Sequence, residues 1–130
     1  MSNPSMQFVE MHGHVDPSSP LIYLWEINDA NGVVCCRYVG KASRGADRPR
    51  TQYRRNVNNI SHGKPYRKGK PNAFRAIHRR MAKAVLAGEC LRLSFLCNVA
   101  PEGKINELER FWQTHFGLLT SSPAPNKDPF

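Results

Sequence analysis

A glutamate sits where the helical pattern calls for an apolar residue. From about Lys104 to Phe116 apolar side chains recur at helical spacing, and Gly117 closes the segment. At roughly 100° per residue from Ile105, Leu108 falls at about 300°, Trp112 at about 340° and Phe116 at about 20°. Glu109 falls at about 40°, inside that stripe, whereas Glu107 falls at about 200°, on the solvent side. An ionised carboxylate facing a protein interior is costly unless a cation or good polar partners meet it. Three arrangements answer that cost: a salt bridge to an arginine, a divalent metal ion, or a stripe edge that reaches solvent. In so basic a chain, an inward carboxylate is of interest for a metal that phosphate chemistry uses.

Two tyrosines form a second constellation. Leu21–Ile27 is rich in β-branched and aromatic residues and reads as a strand; Val33–Val39 reads as another. Between them, residues 28–32 end in Asn-Gly, a hairpin signal. If Asn28 pairs with Val33, Tyr23 lies opposite Tyr38, with Cβ atoms roughly 5 Å apart. Taken alone, such a pair is ordinary cross-strand packing.

The third feature is charge. The chain has 130 residues and a formal net charge of +9. Between Arg37 and Lys83 lie 15 of its 19 Lys and Arg, and the only acid there is Asp47. Tyr53, Tyr66 and Phe74 are interleaved with these cations. A solvated, solubilising face would look similar, but the arginine bias and the aromatics favour a nucleic acid. The residues expected to contact it are Arg48, Arg54, Arg55, His62, Lys64, Arg67, Lys68 and Lys70.

The elements that must position these groups follow from punctuation and periodicity. Residues 1–20 read as a flexible arm, in which His12, His14 and Asp16 are tail residues rather than a metal site. Pro49 opens a short helix from Arg50 to about Asn58, and residues 61–71 form a basic loop. Asn72 caps a helix running to Ala87, which Gly88 ends. On that helix Phe74, Ile77, Met81 and Val85 face inward, and Arg75, Arg79 and Lys83 face away. Leu91–Val99 alternates as a half-buried strand. The order is β-β-α-α-β-α, and the expected fold class is α/β (α+β), with a small three-stranded, largely antiparallel sheet flanked by helices. One domain spans residues 21–126, and residues 127–130 are a tail. No stretch approaches the ~18 apolar residues of a membrane span. Residues 1–20 lack the pattern of a signal peptide, so a cytoplasmic protein with Cys35, Cys36, Cys90 and Cys97 as buried free thiols is expected.

Leu21-Ile22-Tyr23 followed by Tyr38-Val39-Gly40 resembles the GIY-YIG nuclease superfamily. Lys41-Ala42 resembles the version found in bacterial excision-repair nuclease subunits. Glu109-Arg110-Phe111-Trp112, with the later Asn126, resembles the phage homing-endonuclease branch, and the resemblance adds Asn126 to the residues expected to contact the nucleic acid. Leu21 stands where the family has its first glycine, and Val39 where it has isoleucine. The resemblance covers nearly all of the ordered chain. It implies a bacterial or phage-type intracellular endonuclease that cleaves DNA phosphodiesters with one divalent ion, Mg²⁺ or Mn²⁺, held by Glu109. Tyr23 would be the general base, Tyr38 would orient the water, and Lys41 would line the site. The family's helix arginine would be Arg50, with Arg48 and Arg54 as alternatives. Its companion ring would be Tyr53, which is three residues from Arg50 where the family has four. No separate DNA-binding domain is expected, so specificity would come from the basic segment or a protein partner. The alternatives are a non-catalytic nucleic-acid-binding module and an adaptor for an acidic protein.

Overall fold

The computed structural model describes residues 4–100 and 103–116. Its elements are β1 (Val9–Met11), β2 (Leu21–Asn28), β3 (Val34–Ala42), a π-helical turn (Arg48–Gln52) leading into α1 (Tyr53–Ser61), α2 (Ala76–Ala87), β4 (Cys90–Asn98) and α3 (Ile105–Phe116). They build an α+β domain on one four-stranded mixed sheet, in the order β1-β4-β2-β3. β2 runs antiparallel to both its neighbours, and β1 runs parallel to β4. The expected three-stranded antiparallel sheet is therefore incomplete. Its three strands are present as β2, β3 and β4, and the segment read as a flexible arm adds a fourth.

Side chains outside any repeating pattern hold that arm down. Met6 is buried and its N–H donates to Asn58 Oδ1 at 2.7 Å. Phe8 meets Trp25 edge-on at 5.0 Å. Where the arm turns back, the Asn98 amide accepts from Asp16 N–H and donates to the carbonyls of Asp16 and Pro20. Val9 and Met11, which flank Glu10 in β1, stay exposed, so the apolar side chains of the strand face away from the core.

The apolar run of β2 is explained by burial on both faces. Leu21, Tyr23, Trp25 and Ile27 join Tyr53 and Val57 of α1 and Ile77 and Met81 of α2 in one core. Ile22 and Leu24 join Val39, Val99 and the Ile105, Leu108, Trp112 and Phe116 stripe of α3 in another. The helical reading of α3 thus survives, with its apolar face turned onto the sheet. β4 does not keep one alternation. A bulge pairs Ile22 with Cys97 and Tyr23 with Phe95, so Leu91, Leu93 and Phe95 enter the first core while Cys97 and Val99 enter the second. Among the cysteines, all free, only Cys36 is buried. No helix among the described residues is long and apolar enough to cross a membrane.

Candidate active site

The β2–β3 hairpin is the platform. Its turn closes with Asp29 N–H donating to Val33 O at 2.9 Å, and a bulge follows between Ile27 and Asn28. The turn, which pairs Asn28 with Val34 rather than Val33, moves the ladder by one position, and the extra residue of the bulge moves it by one more. Tyr23 therefore lies opposite Gly40, and Tyr38 opposite Trp25. The expected direct Tyr23–Tyr38 pair becomes a diagonal one. A shift of two preserves the face, so both rings still point the same way.

Both phenols are buried and held. Tyr23 Oη and Tyr53 Oη share a hydrogen bond of 2.8 Å, with the rings edge-to-face at 5.7 Å. Burial pushes the Tyr23 phenol up from its usual range, the Tyr53 hydrogen bond and the charge of Arg48 opposing it. Burial raises Tyr53 further. Tyr38 Oη accepts a hydrogen bond from Arg75 Nη2, with the guanidinium 5.5 Å above the ring.

Arg75 owes its position to the start of α2. The helix begins at Ala76, four residues later than Asn72, with Arg75 as an extended N-cap. Arg75 N–H donates to His78 Nδ1 at 3.4 Å. His78 is buried against the edge of the Tyr53 ring at 4.9 Å. Burial, with Arg75 and Arg48 nearby, lowers its pKa to about 3, so the imidazole is neutral. Arg75 thus turns inward, where the wheel for a longer helix had it facing solvent.

Arg48 comes from the π-helical turn. Pro49 occupies its first turn, and Tyr53 N–H closes it on Arg48 O. A π turn bonds residue i to i+5, one more than an α-helix. That wide turn sets the five-residue step from Arg48 to Tyr53, so one serves the cleft and the other backs Tyr23.

An open cleft of about 210 Å³ is lined by Tyr23, Tyr38, Gly40, Lys41, Ser43, Arg48, Arg75 and Glu109. Glu109 reaches it from α3, half-buried, and accepts no hydrogen bond from the described residues. Burial raises its pKa, and Lys41, Arg75 and Arg48 act in the opposite direction by charge alone. The arginine salt bridge is thereby excluded among the described residues. Glu107 is exposed, its nearest cation being Lys104 at 3.9 Å. Lys41 Nζ donates to Asn106 Oδ1, tying β3 to α3 beside Glu109.

Among the described residues no group of three or more His, Cys, Asp or Glu is placed to hold a metal. The donor set is one carboxylate with open space before it. That fits Mg²⁺, which keeps several waters and takes one or two carboxylates.

Of the residues singled out in the sequence, Tyr23, Tyr38, Lys41, Arg48 and Glu109 come together here. Arg50 does not. Its guanidinium grips Glu10 of β1 through two bonds of 2.7 Å and lies 5.3 Å over Phe95. The helix rotates it away because the chain enters α1 through a π turn. Arg54 stacks on Phe8 at 4.8 Å, and Arg55 is exposed on α1. His62 caps the C-terminus of α1, followed by Lys64, Arg67, Lys68 and Lys70 on an exposed segment. Asn126 lies outside the described residues. Arg75, Ser43 and Asn106 were not anticipated. Comparison of the chain with family models, curated proteins and solved structures finds no match.

Proposed function

We propose that the protein is a metal-dependent endonuclease that hydrolyses DNA phosphodiester bonds, as its resemblance to the GIY-YIG superfamily implies. The observation that carries this reading is the cleft itself: two buried tyrosines, three cations and one unpaired carboxylate from five separate segments face one small space. A phosphodiester repels a nucleophile by its own charge, so catalysis requires neutralisation and an aligned water. Arg48, Arg75 and Lys41 supply positive charge for the phosphate, and the guanidiniums can bond it in pairs. Glu109 would hold Mg²⁺ or Mn²⁺, which would supply Lewis-acid stabilisation of the phosphate oxygens and of the departing 3′ oxygen.

Proton transfer is assigned to Tyr38 rather than to Tyr23. Tyr38 is the less buried of the two, at 8% against 1%. Its oxygen carries the arginine hydrogen bond, the partner that a phenol gaining negative charge requires. Tyr23, raised by burial and bonded to Tyr53, positions the water and the neighbouring ring. Water adds to phosphorus as its proton passes to the Tyr38 oxygen in its phenolate form, which the Arg75 guanidinium faces; the P–O3′ bond breaks, and the departing 3′ oxygen takes a proton from solvent.

The test is cleavage of supercoiled, branched and single-stranded DNA by the purified protein in Mg²⁺, Mn²⁺ or EDTA. Metal-dependent nicking or linearisation is expected. Salt-sensitive binding with no cleavage of any substrate would favour the non-catalytic binding module instead.

A further inference from the structure

The basic segment after α1 is folded. Tyr66 N–H donates to Pro71 O at 2.9 Å, Lys70 N–H donates to Arg67 O at 3.1 Å, and Arg67 bridges to Lys70. The result is a miniature hairpin with Lys68 and Gly69 at its tip. At its root Tyr66 and Phe74 meet edge-to-face at 5.3 Å. Arg67 lies 5.1 Å over Tyr66, and Arg79 lies 5.9 Å over Phe74.

Between this hairpin and the end of α1 is a second pocket of about 300 Å³, bordered by Ile60, Lys64, Pro71, Asn72, Phe74 and Arg79. That volume is at the lower end of small-molecule sites, about 300–1,000 Å³, and suits one flat ring system. Its wall is partly aromatic and its rim cationic, the composition of a site that stacks a base and holds its phosphate. Its position gives it a purpose. Phe74 faces this pocket and the next residue, Arg75, faces the catalytic cleft. A strand whose phosphate lies at Arg75 has a neighbouring nucleotide within reach of Phe74.

We infer that this pocket takes an unpaired base of the strand being cut, so that the substrate is DNA with an unstacked nucleotide beside the scissile bond. The inference rests on the nuclease reading for its account of the neighbouring cleft, but its test does not. A regular duplex keeps its bases stacked and presents none to the pocket. A bubble, flap or junction does.

The experiment measures binding by the full chain in EDTA, where no cleavage intervenes. The probes are a paired duplex and the same duplex with a short bubble, each carrying 2-aminopurine at the variable position. The bubble is expected to bind about tenfold more tightly, with quenching of the probe on stacking. Phe74→Leu keeps apolar bulk against Tyr66 but removes the π face, and should cut the preference at least about fivefold. Tyr66→Leu serves as the second variant should Phe74→Leu fail to fold, circular dichroism deciding that. Equal affinity for the two duplexes, or a preference that survives both substitutions, overturns the inference. A bubble preference in a protein that cuts nothing upholds the pocket and removes the nuclease. Metal-dependent cleavage with no preference does the reverse.

Discussion

Gly40 lies directly opposite Tyr23 in the β2–β3 ladder, and the tyrosine ring fills the space a side chain at Gly40 would need. A Cβ built there would lie 2.7 Å from Tyr23 Cε1 and closer still to Cζ and Oη. The glycine is required by contact and not by backbone angle, and it lets the phenol lie flat across β3 to reach Tyr53.

Gly40→Ala should therefore act on chemistry through packing. The ring must swing aside, breaking the Tyr23–Tyr53 bond. Forced overpacking costs about 1–3 kcal/mol, read as a lower midpoint in urea, and cleavage should fall more than the residual folded fraction explains. Wild-type cleavage by this variant would show that the Tyr23 position is not needed.

The arginines separate by location. Arg48→Ala and Arg75→Ala should each lower kcat about 100-fold, the scale for removing one donor aimed at developing charge. Arg50→Ala should leave cleavage close to wild type and cost up to about 1 kcal/mol of stability, since it removes a partly exposed ion pair with Glu10. Single-turnover rates beside urea unfolding distinguish the two behaviours.

The tyrosines should differ in kind. Tyr38→Phe removes the proton acceptor and should abolish metal-dependent cleavage, leaving no rise in rate with pH. Tyr23→Phe should reduce the rate by about tenfold while retaining the pH dependence, because a positioning contact is lost. It also leaves the buried Tyr53 hydroxyl without its partner, at about 1–3 kcal/mol in stability. The reverse ranking in a pH–rate series would return the base role to Tyr23.

His78 makes stability depend on pH in a defined direction. Folded, it stays neutral down to about 3; unfolded, it protonates near the ordinary histidine value of 6.5. The unfolded state thus takes up the proton first, so this contribution is intact above 6.5 and is lost as pH falls towards 3. The slope is at most about 1.4 kcal/mol per pH unit. Urea midpoints between pH 6.5 and 4.5 test it, a window above the ranges of Glu10 and Asp16, whose pKa values are lowered, with the same series in Glu109→Gln to remove the carboxyl that burial raises towards it. His78→Gln, which can still accept from Arg75 N–H, should flatten the slope.

The parts legible in the sequence were those with a strong local signal. α3 and the inward placement of Glu109 follow from periodicity, β2 from its β-branched and aromatic run, and the β2–β3 hairpin from its turn residues. What was not legible depended on single residues added to a repeat. A longer pairing at the turn and one bulge together moved Tyr38 from Tyr23 to Trp25, another bulge reversed the faces of β4, and one π turn exchanged Arg50 for Arg48. Arg75 was hidden for a related reason. A helix from Asn72 places it outward, and only the His78 cap and the pull of Phe74 towards Tyr66 end the helix at Ala76. β1 is three residues long with its apolar Val9 and Met11 exposed, and it is held by Met6 and Phe8 from outside the strand.

The decisive measurement compares two glutamates two positions apart on α3. Plasmid cleavage in Mg²⁺ should fall at least about 100-fold in Glu109→Gln, which removes the one carboxylate in the cleft and leaves its size alone. Glu107→Gln, on the exposed face, should cut within about twofold of wild type. Cleavage that survives in Glu109→Gln at the Glu107→Gln rate would contradict the assignment of this cleft as the catalytic centre.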